Sequence, residues 1–235
     1  MKHHQRWIAV ALLTAGLIAG CDENKPSDPG AAAAVPSSVT SAQASAAAAI
    51  PPPAYDPASF VIDPTHSAVA FTVRHFALSK VRGTFDKFTG SVFIDEATPK
   101  NSTIDVTIDV DSVDTREPKR DTHLKSPAFF DAKKFPTMTF KSTAVERGAN
   151  GYRVTGDLTL HGVTKSVVLD VDPISPELSS PLKTIVRGTH ASTKISRKDF
   201  GLSWNVALET GGVAVSDEVT IELDLELVKR VAAAK

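Results

Sequence analysis

From Phe60 to Arg230 the apolar residues recur at every second position, which is the period of a half-buried strand. Val69, Phe71 and Val73 alternate with Ala70, Thr72 and Arg74, and Ile104, Val106, Ile108 and Val110 alternate with Asp105, Thr107 and Asp109. Val219, Ile221, Leu223, Leu225 and Leu227 alternate with Thr220, Glu222, Asp224 and Glu226. Each segment has one dry face and one wet face. Weaker strands fall at 81–85 continuing through 88–94, and at 137–145, 152–160, 166–171 and 184–195. Phe85 and Phe88 are out of phase by one residue, which predicts a bulge at Asp86-Lys87. Ala149-Asn150-Gly151 reads as a hairpin turn with positive φ at Asn-Gly. Helix is predicted in two places only: Glu117 to Phe130, opened by Pro118, and a short turn at Ser196 to Leu202.

Eight amphipathic strands with no helix long enough to cover a sheet must bury their apolar faces against one another. Their up-and-down order favours closure, so the predicted fold is all-β: an eight-stranded antiparallel, lipocalin-like barrel with one short helical insertion. The predicted interior comprises Val69, Phe71, Val73, Phe85, Val92, Ile94, Ile104, Val106, Ile108, Met138, Phe140, Val154, Leu158, Leu160, Ile221, Leu223 and Leu225. Periodicity alone leaves open whether these residues fill the barrel or line a hollow that an apolar ligand occupies. A membrane porin would carry its apolar faces outward between aromatic girdles. The chain has two Trp and two Tyr, of which Trp7 and Tyr55 precede the strand region.

The two ends are built differently from the middle. Residues 1–20 begin with Lys2 and Arg6 and continue with an uncharged run from Trp7 to Ala19, too short to span a bilayer, as in a secretion signal. Ile18-Ala19-Gly20-Cys21 resembles the bacterial lipobox, which implies lipidation at Cys21 and anchoring to a membrane on the periplasmic side of the envelope. Cys21 is the single cysteine, so no disulfide forms within one chain. From Asp22 to Ala58 the sequence is rich in Ala, Pro and Ser, and 21–58 reads as a disordered tether with a coil reach of roughly 30–35 Å. Domain boundaries follow at 59–230 for the barrel and 231–235 for a tail.

Charge excludes one class of partner. The formal net charge is −1 and no basic stripe exists for a phosphate backbone, so nucleic acid is not expected. His66, His75, His123, His161 and His190 form no close metal-binding pair such as H-x3-H, and no metal is expected. Arg120, Asp121 and His123 read either as a polar site at the barrel mouth or, with His66 and His161 capping turns, as a segment that His123 and Asp121 anchor. Ser67, Ser126 and Ser196 lack a nucleophile-elbow context, so no catalytic residue is assigned and an enzyme is not expected. Arg197-Lys198-Asp199 beside Phe200 and Trp204 reads either as a contact for a quinone head or as a solvated, ion-paired turn. Phe129, Phe130 and Phe135 are expected to pack the insertion onto the barrel.

Longer motifs add what periodicity does not contain. Asp63-Pro64-Thr65-His66-Ser67 leading into Val69–His75, then Gly83-Thr84-Phe85 and Phe88-Thr89-Gly90, resembles the opening of the YceI-like family of bacterial polyisoprenoid-binding proteins. Arg120–Pro127 with Phe129-Phe130-Asp131 and Phe135-Pro136, Phe140–Thr143, Gly156–Lys165 and Ser196–Leu202 continue the likeness in order, from about residue 60 to 230. The resemblance implies an elongated barrel whose apolar bore binds an isoprenoid chain, such as an isoprenoid quinone or a similar amphiphile, with no cofactor required beyond that ligand. The lipidated start departs from the soluble periplasmic proteins usual in the family. The expected role is an envelope carrier or sequestering protein, monomeric or homodimeric. The alternatives are a lipid-modifying enzyme working at the mouth and an envelope interaction module with a filled barrel.

Overall fold

The computed structural model describes residues 55–207 and 212–231. The predicted signal at 1–20, the lipidation at Cys21 and nearly all of the tether lie outside the described residues, as do residues 232–235 of the tail.

The described chain forms a 12-stranded antiparallel sheet. Its first strands are β1 (Tyr55–Ile62), β2 (Ala68–His75), β3 (Ser79–Phe85), β4 (Phe88–Phe93), β5 (Thr103–Asp109) and β6 (Val113–Asp114). After the helix α1 (Pro118–Lys125) come β7 (Thr137–Gly148), β8 (Gly151–Leu160), β9 (Val163–Val171), β10 (Leu178–Ser179), β11 (Ile185–Ser196) and β12 (Val215–Val231). The sheet closes because β12 also pairs with β11, from Val186↔Val228 to Ser196↔Glu218. The ring is therefore β1, β4, β5, β7, β8, β9, β11 and β12: the eight-stranded barrel that the alternation predicts.

Three staves of the ring are interrupted. β1 and β2 lie end to end along one edge of β12 (Ile62↔Leu227, Ala68↔Asp224), broken at Asp63–Ser67. β4 pairs with β1 while β3 pairs with β2, so the predicted irregularity at Asp86-Lys87 separates two collinear strands. There the Asp86 amide donates to the Ser112 carbonyl at 3.2 Å and the Lys87 amide to the Ser112 hydroxyl at 3.0 Å. The step lets Phe85 and Phe88 both face inward, where each is 6% exposed. β5 and β6 are separated by a single 3-10 turn at Val110–Ser112.

Several expectations need correction. Strand β1 begins at Tyr55, inside the segment read as tether, and Tyr55 pairs with Val231. Asp56-Pro57 and the Ala/Pro-rich residues before it hide this strand, because a proline is tolerated at a strand's start but weakens a composition-based reading. The helix predicted over Glu117–Phe130 stops at Lys125. Ser126 is extended (φ −74°, ψ 166°) because Pro127 follows it and crowds the helical conformation. In the β7–β8 turn the positive φ falls on Gly151 (123°) and not on Asn150. A Cβ on Gly151 would stand 2.2 Å from the Val171 carbonyl oxygen.

One inward glycine shapes the bore. A Cβ added to Gly156 would meet the Phe140 ring at 2.4 Å and the Lys141 carbonyl oxygen at 2.7 Å. The ring lies across the strand where a side chain would otherwise stand. Gly156→Ala is expected to destabilise the protein by about 1–3 kcal/mol in a urea titration, since backbone on one side leaves only the ring free to move. An unchanged midpoint would show that the ring relocates freely.

Candidate functional site

The barrel is not filled. Phe71, Ile94, Ile104, Val106, Ile108, Leu158, Leu223 and Leu225 belong to the dry face but are only partly buried, whereas Phe60, Val110, Phe200 and Leu227 are at most 2% exposed. Inward residues that keep accessible surface border a void. That void is a cavity of about 420 Å³, within the range of small-molecule sites.

The whole predicted interior lines it. β2 contributes Val69, Phe71 and Val73, β3 Phe85, and β4 with its exit Val92 and Ile94; Ile104, Val106 and Ile108 come from β5. Met138 and Phe140 on β7, Val154, Leu158 and Leu160 on β8, and Ile221, Leu223 and Leu225 on β12 complete that set. On two staves, whose strands were expected at 166–171 and 184–195, the inward residues were not assigned from sequence. On β9, Val167, Leu169 and Val171 keep the period of two, and that phase was the available signal. On β11 the inward positions are Thr189, Ala191, Thr193 and Ile195, facing Leu225, Leu223, Ile221 and Val219 of β12. Small and hydroxylated residues there carry no hydrophobic alternation, so nothing local marks their face.

The mouth at the α1 end is aromatic and cationic. His123 meets Phe129 edge-on at 5.1 Å and Trp204 edge-on at 4.9 Å, and Phe129 and Trp204 are 5.0 Å apart. Phe129 and Phe130 line the cavity, so they do more than fasten the insertion; Phe135 packs instead against His161 at 4.8 Å. Arg120 donates from Nε to the Thr115 hydroxyl at 2.7 Å and from Nη2 to the Thr115 carbonyl at 2.8 Å. Asp121 accepts from the Thr115 amide (2.9 Å) and hydroxyl (2.5 Å), so it anchors α1 to the strand before it. His123 adds to that anchorage by ring packing.

Of the two readings for Arg197-Lys198-Asp199, the ion-paired turn holds in that Arg197 and Lys198 both pair with Asp217, but Arg197 is not solvated. It is 3% exposed, and its guanidinium is spent on the protein itself. Nε donates to the Ser216 carbonyl (2.9 Å), Nη1 to the carbonyls of Leu202 and Trp204, and Nη2 to the Val215 carbonyl and the Asp217 carboxylate (3.1 Å). Burial pushes its pKa down and the Asp217 charge opposes that, so the group stays cationic. Lys198 pairs with Asp217 at 2.8 Å on the surface and holds that carboxyl below its usual range.

The remaining histidines act locally. His161 Nδ1 lies 3.2 Å from the Phe200 carbonyl oxygen, and His190 pairs with Asp224 at 2.9 Å. Asp63, His66 and Glu226 bring ligand-capable atoms within 4.8 Å of one another at the β1–β2 break. Those atoms already build a turn: Asp63 accepts from the Thr65 amide (2.8 Å), the Thr65 hydroxyl (2.6 Å) and His66 Nδ1 (2.8 Å). The Thr65 and His66 bonds hold the Asp63 carboxyl at about 2, and the Asp63 bond with the Glu226 charge raises the His66 pKa. The stabilisation from a lowered Asp63 is present above 3.8 and lost as pH falls towards 2; that from a raised His66 is full below 6.5 and lost as pH rises through the raised value. The difference in Tm between the wild type and His66→Ala is therefore expected to peak between pH 3.8 and 6.5 and to shrink on either side. A flat difference across pH would contradict the coupling.

Comparison with known proteins follows the same residues. The family profile of the YceI-like domain matches residues 60–227. A UPF0312 protein of Yersinia enterocolitica is 37% identical over 164 residues, covering 70% of this chain and 82% of its own length. The crystal structure of the Campylobacter jejuni YCEI protein superposes with a TM-score of 0.57 at 31% identity, covering 67% of this chain and 90% of that one. A polyisoprenoid binding domain from Saccharophagus degradans has the same fold, with a TM-score of 0.52 at 20% identity over 73% of this chain and 99% of its own.

Proposed function

Because this chain belongs to the YceI-like family, we propose that its barrel holds a long apolar isoprenoid lipid, an isoprenoid quinone or a similar amphiphile, as a carrier or sequestering protein of the bacterial envelope. The observation that carries the reading is the cavity wall: apolar side chains from every stave surround it, and its charged groups gather at the ends. An isoprenoid tail entering such a bore gains about 25 cal/mol for each Å² removed from water, with no hydrogen bond to satisfy along its length. The polyisoprenoid-binding neighbour from Saccharophagus degradans supports the same class of ligand. The polar head is proposed to sit at the α1 mouth, where Arg120, His123 and Trp204 all line the cavity.

The reading is one of binding without turnover. Lipidation at Cys21 would hold the barrel to a membrane on the periplasmic side, with the 21–58 segment as its leash. The test is extraction with organic solvent of protein made in its native host, followed by mass spectrometry. One apolar isoprenoid molecule per chain is the expected result, and protein that is empty and takes up no quinone from detergent solution would refute it.

A further inference from the structure

The β2–β3 hairpin closes through three residues, Phe76-Ala77-Leu78, and the Leu78 amide donates to the His75 carbonyl at 3.0 Å across the central pair Phe76-Ala77. Both residues of that pair stand at positive φ, 54° and 57°, a conformation that turns of this kind normally give to glycine or asparagine. The Phe76 ring lies 3.9 Å from that of His75, while the positive φ of both residues is backbone strain of the kind that gathers at functional positions. The turn leaves Phe76 42% and Leu78 84% exposed.

A second loop stands beside the first. The Phe76 amide donates to the Ala214 carbonyl, and the Ala214 amide to the Val206 carbonyl, both at 2.9 Å. Val206 and Val213 are 49% and 43% exposed. Four large apolar side chains thus stand next to residues of the cavity wall, which includes His75, Ala214 and Val215.

Behind the tip, Arg74 and Lys80 face each other across the β2–β3 ladder, and Arg82 follows on the same outer face. Like charges directly opposite weaken a strand pair unless something anionic lies over them. None of the three has an ion-pair partner among the described residues. A greasy tip with unpaired cations set back from it matches a surface that is anionic at its skin and apolar beneath, which is a bilayer containing acidic lipids.

We propose that this hairpin docks the α1 end of the barrel onto an anionic lipid surface. Phe76 and Leu78 enter the acyl layer, Arg74, Lys80 and Arg82 pair with head groups, and the ligand passes between bilayer and cavity without crossing water. The proposal rests on the lipid-binding reading above for its purpose, but its contact with the bilayer is measured separately.

The first measurement uses the full chain as Phe76→Trp, with Leu178→Trp as the control at the opposite end of the barrel, and vesicles of brominated phosphatidylcholine with or without phosphatidylglycerol. Relative to wild type, the emission added at position 76 is expected to be quenched by the phosphatidylglycerol vesicles, and that added at 178 is not. The second measures quinone uptake by wild type, Phe76→Ser/Leu78→Ser and Arg74→Gln/Lys80→Gln. The apolar variant is expected to load from phosphatidylglycerol vesicles about tenfold more slowly or worse, given the side-chain burial it forgoes. The charge variant is expected to lose about tenfold at low salt and to match wild type at high salt. All three should load equally from detergent-dispersed quinone. No quenching at 76, as a protein partner for the tip would give, or equal vesicle rates for all three, overturns the docking proposal. Failure of every protein to load from detergent, with quenching at 76 intact, overturns the lipid-binding reading and leaves docking standing.

Discussion

Replacing Arg197 by methionine is expected to lower the stability of the barrel by about 3–5 kcal/mol in a urea titration, the largest effect of any single exchange at the α1 end. The methionine fills much of the volume but donates nothing, so the carbonyls of Leu202, Trp204 and Ser216 lose the guanidinium's hydrogen bonds, and that of Val215 keeps only the one from Asn205 Nδ2. Arg197→Lys keeps the charge and is still expected to recover only part of the loss, because three tetrahedral donors do not reproduce a planar fork of five. The fork joins the segment after β11 to the start of β12, which is how Trp204 is held against His123 and Phe129 at the mouth. Loss of Arg197 should therefore also expose Trp204 to solvent, seen as a red shift of its emission. A methionine variant within about 0.5 kcal/mol of wild type would show that the clasp contributes little.

Thr193→Phe is expected to leave the protein folded and to abolish ligand uptake. Thr193 lies on the inner face of β11 opposite Ile221 and lines the cavity, so a ring there projects into the bore. Each isoprene unit it excludes removes about five carbons at about 0.8 kcal/mol apiece, hence about 4 kcal/mol and near a thousandfold in affinity. Since the ring fills empty space and replaces a hydroxyl, unfolding by urea should shift little or towards higher stability. If quinone taken up from detergent remains stoichiometric at wild-type affinity, the ligand does not occupy this bore. The two variants separate two roles at the same end of the barrel. Arg197 holds the mouth together and Thr193 guards the space within.

Much of the site was legible because facing is a local property of a strand. The alternations at Val69–Val73, Ile104–Ile108 and Ile221–Leu225 place their side chains on the cavity wall whatever their neighbours are. The step at Asp86-Lys87 was equally visible, since two phenylalanines one residue out of phase cannot both face inward without it. Where facing is not written in hydrophobicity, the reading failed: the inner face of β11 is Thr189, Ala191 and Thr193, and strand β1 starts behind Asp56-Pro57. Arg197 was ambiguous for a related reason. A cation next to Asp199 looks solvated in sequence; the carbonyls of Leu202 and Trp204 lie close by in the chain, but only the return of β12 eighteen to twenty residues later supplies those of Val215 and Ser216 and the Asp217 carboxylate.

By itself, then, the sequence determined that this protein is built of alternating strands, which side chains each strong strand turns to its dry face, and to which family it bears a likeness. The tertiary structure alone decided that the dry faces enclose a hollow of about 420 Å³, that β12 closes the ring against β11, and which end carries the aromatic and cationic mouth. The division has a physical cause. Period and polarity act between residues a few positions apart, whereas a void is the distance left between walls far apart in the chain, as β7 and β12 are on opposite sides of the ring, and no short window of sequence contains both.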